Sequence, residues 1–87
     1  MPNTQKNELL SIPGVGFSIS KDIIDLGIHS VTELRNKNAQ KMYDDLIALR
    51  SEHQDKCILY VFRCAIYYSE TSNPDAELLK WWNWKDK

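Results

Sequence analysis

Residues 12–16 read IPGVG, which places one proline and two glycines within five positions near the start of the chain. Pro13 fixes φ and has no amide hydrogen, so a helix that precedes it must end there. Gly14 and Gly16 permit positive φ or the close approach of another backbone segment. A tight turn here, followed by a helix from about Phe17, leaves several amide N–H groups without intrahelical partners. Such a cluster of donors, reinforced by the helix dipole, favours an anion.

The common phosphate-binding loops do not match this segment. A Walker A loop ends in Gly-Lys-Ser/Thr, and that ending is absent. A dinucleotide-binding loop needs a third glycine at a fixed spacing and a strand before it, and the sequence offers neither. We therefore interpret residues 12–16, called the elbow below, as the connection between two helices.

Helical signals continue on both sides of the elbow. We predict a first helix over residues 4–11 and a second over residues 17–26, whose apolar stripe is Ile19, Ile23 and Leu26. Gly27 fits the left-handed position after that second helix, with Ile28 next to it and able to touch Ile23. Further along, Ser30 and Glu33 form a capping box that starts a short helix, and Asn38 caps the following one.

Residues 55–70 are apolar on almost every side, which is typical of a buried central helix. A strand is the alternative, since Ile, Val, Tyr and Phe favour strands, but the length favours a helix. Asn73 as N-cap and Pro74 at the first helical position then predict a tryptophan-rich helix over residues 74–85. The expected architecture is one all-α, SAM-like domain of five to six helices over residues 1–87, with a flexible start at residues 1–4.

Composition narrows the function classes. The chain has 87 residues, 43% of them hydrophobic, and a net charge of −1, with no basic third. A strong nucleic-acid binder usually carries a basic footprint, and this sequence does not. The longest apolar run has 12 residues and contains Arg63, too short and too interrupted for a membrane span of about 20 residues. No signal peptide precedes the domain, so we expect a cytoplasmic protein without a membrane partner.

Several stretches together resemble one family. LLSIPGVGFSISKDI is similar to a helix-hairpin-helix motif, and DLGIHSVTEL, CILYVFRCAIYY and LLKWWNWKD extend the likeness to residues 9–86. On these stretches the chain resembles the pathogenicity-locus family of small bacterial helix-hairpin-helix proteins. The resemblance implies the fold and, from the wider motif, weak and sequence-independent DNA binding. It carries over no enzymatic activity.

The wider motif also implies particular site residues. Its hairpin amides hold a DNA phosphate without reading bases, which assigns the donors to Gly14, Val15 and Gly16, with Ser18 beside them. Lys21 would be the nearby cation. Some members hold a sodium or potassium ion on hairpin carbonyls, and the matching positions here are Leu10, Ile12 and Val15.

This sequence departs from the DNA-binding pattern at several positions. Phe17 and Ser18 stand where such members often have a basic residue, and Ser20 replaces a small apolar one. Asp22 and Asp25 follow closely and would repel a nucleic-acid backbone. A second Pro-Gly hairpin, which tight binders commonly have, is also missing. One hairpin alone predicts weak binding.

The three tryptophans leave alternatives open. On a helix, Trp81 and Trp84 share a face and Trp82 points about 100° away. They could complete a small core, or they could dock a protein partner or a second copy, since Trp is enriched at binding hot spots. Stacking on single-stranded nucleic acid would need basic neighbours, and Lys80 and Lys85 are balanced by acidic ones.

The remaining reactive residues form no recognisable catalytic or metal-binding pattern. Cys57 and Cys64 are seven residues apart, and His29 and His53 are remote from them, without Cys-x-x-Cys or His-x-x-x-His spacing. We therefore predict packed, reduced thiols, no metal, no cofactor, no small-molecule substrate and no enzymatic activity. The leading hypothesis is DNA binding at the elbow, and the second is protein interaction or self-association through the tryptophans.

Overall fold

The computed structural model describes residues 8–85. They form four α-helices and no strand, which confirms an all-α fold for this part of the chain. The helices are α1 (Phe17–Asp25), α2 (Val31–Leu34), α3 (Ala39–Arg50) and α4 (Lys56–Glu70). Three short 3-10 helices, Glu8–Ser11, Ala76–Leu79 and Trp81–Trp84, complete the secondary structure. The predicted flexible start and part of the predicted first helix lie outside the described residues.

Helix α4 is the centre of the structure. It spans 15 residues, so the strand alternative for this segment was wrong. The Asp55 side chain caps its start by accepting a hydrogen bond from the Cys57 amide at 3.0 Å. Around α4 lie α2, α3 and both C-terminal 3-10 helices. The buried residues of α4 are Leu59, Val61, Phe62, Cys64, Ala65 and Ile66.

The end of α1 follows the predicted geometry. Gly27 has φ +92°, and the amides of Gly27 and Ile28 donate to the carbonyls of Ile24 and Ile23 at 2.8 and 3.2 Å. This pair of bonds is a Schellman motif, in which glycine avoids the steric cost of positive φ. Ile23 and Ile28 are both buried, so the motif also anchors the chain that leaves α1 in the core.

Side chains also fix the starts of α2 and α3. Ser30 accepts a bond from the Glu33 amide at 3.2 Å, and Asn38 accepts one from the Lys41 amide at 3.0 Å. The carboxylate of Glu33 accepts from the amide of His29, one position earlier than a standard capping box requires. Both predicted caps are therefore present, one of them with a shifted reciprocal bond.

The C-terminal segment differs from the single helix predicted over residues 74–85. Two 3-10 helices replace it and are separated at Lys80, whose backbone is extended at φ −91° and ψ 113°. The carbonyls that an α-helix would use are engaged by side chains. Asn83 Nδ2 donates to the Glu77 carbonyl at 2.6 Å, and Trp84 Nε1 donates to the Leu78 carbonyl at 2.7 Å. These side-chain bonds compete with helical ones, and we call residues 71–85 the strap.

The central position of α4 predicts which residues carry stability. Phe62 is 0% exposed, whereas Leu49 on α3 is 51% exposed. Phe62→Ala should lower the free energy of unfolding by about 3–5 kcal/mol, because it leaves a cavity in the core. Leu49→Ala is the control and should stay within about 0.5 kcal/mol of the wild type. Urea denaturation followed by circular dichroism measures both, and equal losses would contradict the assignment of α4 as the core.

Candidate functional site at the elbow

The elbow is a tight turn held from inside by two apolar residues. Ile12 and Val15 are buried, and the Val15 amide donates to the Ile12 carbonyl at 3.1 Å. Gly14 has φ +87°, a conformation that glycine adopts without steric cost. Gly14 and Gly16 are exposed. The sequence thus alternates residues that anchor the turn with glycines that stay at the surface.

Helix α1 begins without a side-chain cap. Its N-cap residue, Gly16, has φ −97° and ψ −171° and no side chain to accept from the first amides. Within the described residues, no hydrogen bond engages the amides of Gly16, Phe17 or Ser18. Gly16, Phe17 and Ser18 are all exposed, and a Cβ added at Gly16 would meet nothing within 4 Å. Unpaired amides at a helix start attract anions.

The turn removes one of the three predicted donors. The Val15 amide already donates to the Ile12 carbonyl, whereas the amides of Gly14, Gly16 and Ser18 form no hydrogen bond within residues 8–85. Of the carbonyls expected to hold a monovalent cation, those of Leu10, Ile12 and Val15, the carbonyl of Ile12 is the one that accepts this bond. The unbonded amides of the elbow therefore lie on both sides of Val15.

The indole of Trp81 packs directly against Gly14. Trp81 Cδ1 lies 3.3 Å from the position of a Cβ built on Gly14, tighter than ordinary van der Waals contact. A residue 67 positions away in sequence therefore forms one wall of the elbow. Glycine is required at position 14 for two reasons, the positive φ and the indole. Sequence reasoning treated the elbow and the tryptophans as separate features, and the structure brings them together.

Arg50 pairs with both carboxylates that the sequence placed near the elbow. Its Nη2 lies 2.7 Å from an oxygen of Asp22 and 2.8 Å from one of Asp25. Asp25 also accepts from Lys21 at 2.9 Å, so the predicted phosphate ligand Lys21 is engaged in an exposed i,i+4 pair. The hydrogen bonds from Lys21 and then Arg50 hold the pKa of Asp25 below its ordinary value. The same carboxylates raise the pKa of Arg50.

Arg50 was not identified from the sequence. It lies 25 and 28 positions from its two partners, and no local spacing connects them. The fold brings the end of α3 to the carboxylates of α1, so no short window of sequence contained the signal.

The three tryptophans have different surroundings. Trp82 is 50% exposed, while Trp81 and Trp84 are partly buried. Trp84 lies beside Tyr67, with ring centroids 5.5 Å apart, and its carbonyl accepts a bond from Arg63 at 2.8 Å. Trp81 and Trp84 therefore pack against the protein, whereas Trp82 is largely exposed.

Metal and thiol chemistry have weak support in this part of the chain. Among residues 8–85, no three His, Cys, Asp or Glu side chains are grouped to hold a metal ion. Cys57 and Cys64 are both free thiols, and burial raises the pKa of each, which disfavours the nucleophilic thiolate. No helix in the described residues combines the length and apolarity needed to cross a bilayer.

Comparison with known proteins now defines the family. The sequence model of the pathogenicity-locus family matches residues 3–87, nearly the whole chain. The chain therefore belongs to the pathogenicity-locus family, as its stretches of resemblance predicted. No curated protein matches the chain, and no solved structure does.

Alanine substitutions at the three glycines separate the effect of positive φ from the effect of the contact with Trp81. Gly14 and Gly27 both have positive φ, but a Cβ meets Trp81 at Gly14 and nothing within 4 Å at Gly27. Gly27→Ala should cost about 1 kcal/mol from backbone strain. Gly14→Ala should cost clearly more, because the indole must also move. Gly16→Ala, with neither constraint, should be near neutral.

A double-mutant cycle checks the cause of that difference. In a Trp81→Ala background, the cost of Gly14→Ala should fall to that of Gly27→Ala, as measured by thermal denaturation. If the cost of Gly14→Ala is unchanged in that background, the indole does not constrain the elbow.

The Arg50 clamp predicts a second stability difference. Arg50→Met leaves the nearly buried Asp22 without its partner, so it should destabilise the fold more than Lys41→Met. Lys41 forms an exposed ion pair with Asp45 at 2.9 Å, and pairs of this kind contribute about 0.3–0.5 kcal/mol to stability.

The pairing of Asp25 also predicts how stability depends on pH. Because the folded-state pKa of Asp25 is lowered, its stabilising contribution exists above the ordinary pKa of 3.8 and is lost as the pH falls below it. Arg50→Met should reduce that acid dependence in denaturation curves from pH 7 to pH 2.

Equal effects of Arg50→Met and Lys41→Met at neutral pH would contradict the clamp. An unchanged acid dependence would show that the pair with Lys21 accounts for the pKa of Asp25.

Proposed function

We propose that this protein is a weak, sequence-independent DNA-binding module of the cytoplasm, with a helix-hairpin-helix arrangement around the elbow. The observation that carries the proposal is the uncapped start of α1. The amides of Gly16, Phe17 and Ser18 have no partner within the described residues, and all three residues are exposed. A phosphate oxygen is a suitable acceptor for them, and such contacts fix position without reading bases.

The charges around the elbow are compatible with a phosphate. Arg50 pairs with both Asp22 and Asp25 and offsets one of their two negative charges, which lowers the repulsion expected from the sequence. Lys21 is exposed, and its pair with Asp25 belongs to a class that contributes little to stability. Lys21 can therefore turn toward a phosphate at small cost, since Arg50 remains on Asp25.

The expected affinity is low. The elbow and Lys21 together neutralise one or two phosphates, so the logarithm of the binding constant should fall with that of salt at a slope of about −1 to −2. Dissociation constants on the order of 10⁻⁴ M near physiological salt follow from so few contacts. Binding should depend little on base sequence.

Substitutions at Gly16 provide the sharpest test. Asp is a favoured N-cap residue, and the backbone of Gly16 already has N-cap geometry. Gly16→Asp should therefore preserve or slightly raise stability, while its carboxylate occupies the free amides and repels DNA. Gly16→Ala should keep binding, because it adds neither charge nor acceptor. Fluorescence anisotropy of labelled DNA at 20 and 200 mM salt measures the three proteins.

Lysine substitutions provide the second arm of the experiment. Lys21→Gln should weaken binding and reduce the salt slope by about 1. Lys41→Gln is the matched control, since Lys41 is also exposed and paired at i,i+4, but on α3. The absence of binding at 20 mM salt up to high micromolar protein, or equal binding by both Gly16 variants, would refute the elbow as a phosphate site.

A second candidate function is protein interaction or self-association. Phe17 at the start of α1 is 81% exposed and Trp82 is 50% exposed, and exposed aromatics are enriched at interfaces. Sedimentation equilibrium from 10 to 500 µM would reveal a dimer, which Trp82→Ser should weaken. A monomer over this range would leave self-association without support.

A further inference from the structure

A depression on the side of α4 joins aromatic rings to cationic side chains. It has a volume of about 240 Å³, and we call it the Trp84 pocket. Its lining comes from the connection before α3, from one face of α4 and from the strap, so residues remote in sequence meet there. The residues used below are Lys37, Arg63, Ile66, Tyr67, Glu70 and Trp84.

The two rings are held in place with their polar groups already satisfied. Tyr67 and Trp84 are tilted by 47° with centroids 5.5 Å apart. The Tyr67 hydroxyl accepts from the Asp75 amide at 2.8 Å, and Trp84 Nε1 donates to the Leu78 carbonyl at 2.7 Å. The two rings therefore present an apolar surface to a ligand. Because their positions are already fixed, binding does not have to order these side chains.

The cations at this pocket are not neutralised by the protein. Within the described residues, neither Lys37 nor Arg63 forms an ion pair, a property that they share with Arg35, Lys56 and Lys85. Arg63 Nη1 donates a hydrogen bond to the Trp84 carbonyl, and the guanidinium carbon of Arg63 lies 5.6 Å from the centroid of the Tyr60 ring. The one carboxylate in the lining, that of Glu70, accepts from the Asn36 amide at 2.7 Å. The pocket thus has an excess of positive charge beside an apolar wall.

One 3-10 helix contributes a tryptophan to the elbow and another to the Trp84 pocket. Trp81 and Trp84 belong to one 3-10 helix, in which side chains three residues apart eclipse with about 6 Å of rise between them. Trp81 lies against Gly14 of the elbow, and Trp84 lines the pocket. The elbow and the pocket thus share one short structural element.

We infer that the preferred ligand is single-stranded DNA, with one base against Tyr67 and Trp84 and a neighbouring phosphate at Lys37 and Arg63. The volume is below that of sites for drug-sized ligands, so it suits a single ring. Paired bases in a duplex do not present their faces, whereas unstacked bases of a single strand stack on aromatic side chains. This inference rests on the proposed DNA-binding function and specifies its substrate class.

The first test compares strands that differ only in their bases. Labelled dT12 and an abasic 12-mer carry the same phosphates, so anisotropy at 20 mM salt separates stacking from charge. We expect dT12 to bind about tenfold more tightly than the abasic strand and than a 12-base-pair duplex, the order expected for one stacked base. Equal binding of all three, still lost in Gly16→Asp, would overturn this inference and leave the proposed function intact.

Variants locate the base on the protein. Trp84→Leu should lower affinity for dT12 and leave the abasic strand unchanged, and Trp82→Leu is its control on the exposed neighbour. Lys37→Gln should weaken binding of both strands, with the paired Lys80→Gln as control. Lys37 is exposed, so this variant keeps the proposal testable if Trp84→Leu does not fold. Equal effects of Trp84→Leu and Trp82→Leu would overturn the assignment.

A final arm separates this pocket from the elbow. Thymidine monophosphate, titrated to 20 mM, should shift the indole N–H resonance of Trp84 in NMR spectra and leave that of Trp82 in place. Such a shift would support the pocket even if Gly16→Asp had no effect on strand binding, in which case only the elbow would fail. The absence of a saturable shift at Trp84 would count against the pocket, whatever the behaviour of the elbow.

Discussion

The burial of α4 among α2, α3 and the strap is the constraint on which the other features depend. A chain of this size buries only a small core. A single helix with apolar residues on most sides can supply much of that core. Because α4 is buried on several faces, it presents separate surfaces to different neighbours. On one of these, Arg63 and Tyr67 hold the strap, through the Trp84 carbonyl and the Asp75 amide. The strap in turn places Trp81 on Gly14.

This chain of contacts explains why the elbow and the tryptophans act on one another. The elbow has its own local reasons to turn, a proline and a glycine at positive φ. Its outer wall, however, is an indole supplied by the far end of the chain. Substitutions in the strap should therefore affect a site to which the strap contributes no local sequence signal. The same strap contributes Trp84 to the neighbouring pocket, so one short 3-10 helix serves both sites.

Some charges near the elbow are likewise paired with a residue that is remote in sequence. The net charge of −1 and the absence of a basic third predicted no strong binding of nucleic acid. In the folded chain, the acidic residues after the elbow share Arg50, while Lys37 and Arg63 remain without ion pairs in the described residues. Net charge describes the whole surface, but a phosphate interacts over roughly one Debye length, about 8–10 Å. The local arrangement of charged side chains therefore determines the electrostatic environment of a bound phosphate.

The sequence by itself determined the all-α class, the family, the elbow, and the caps at Gly27, Ser30 and Asn38, because each depends on residues within a few positions of one another. It also identified α4, whose length and apolarity outweighed its strand-forming residues. The tertiary structure alone decided the shape of the strap, where side-chain bonds to the carbonyls of Glu77 and Leu78 replaced the predicted helix. It also decided the partners of Arg50 and Trp81 and the lining of the Trp84 pocket, since these arrangements join residues tens of positions apart and leave no periodic signal in the chain.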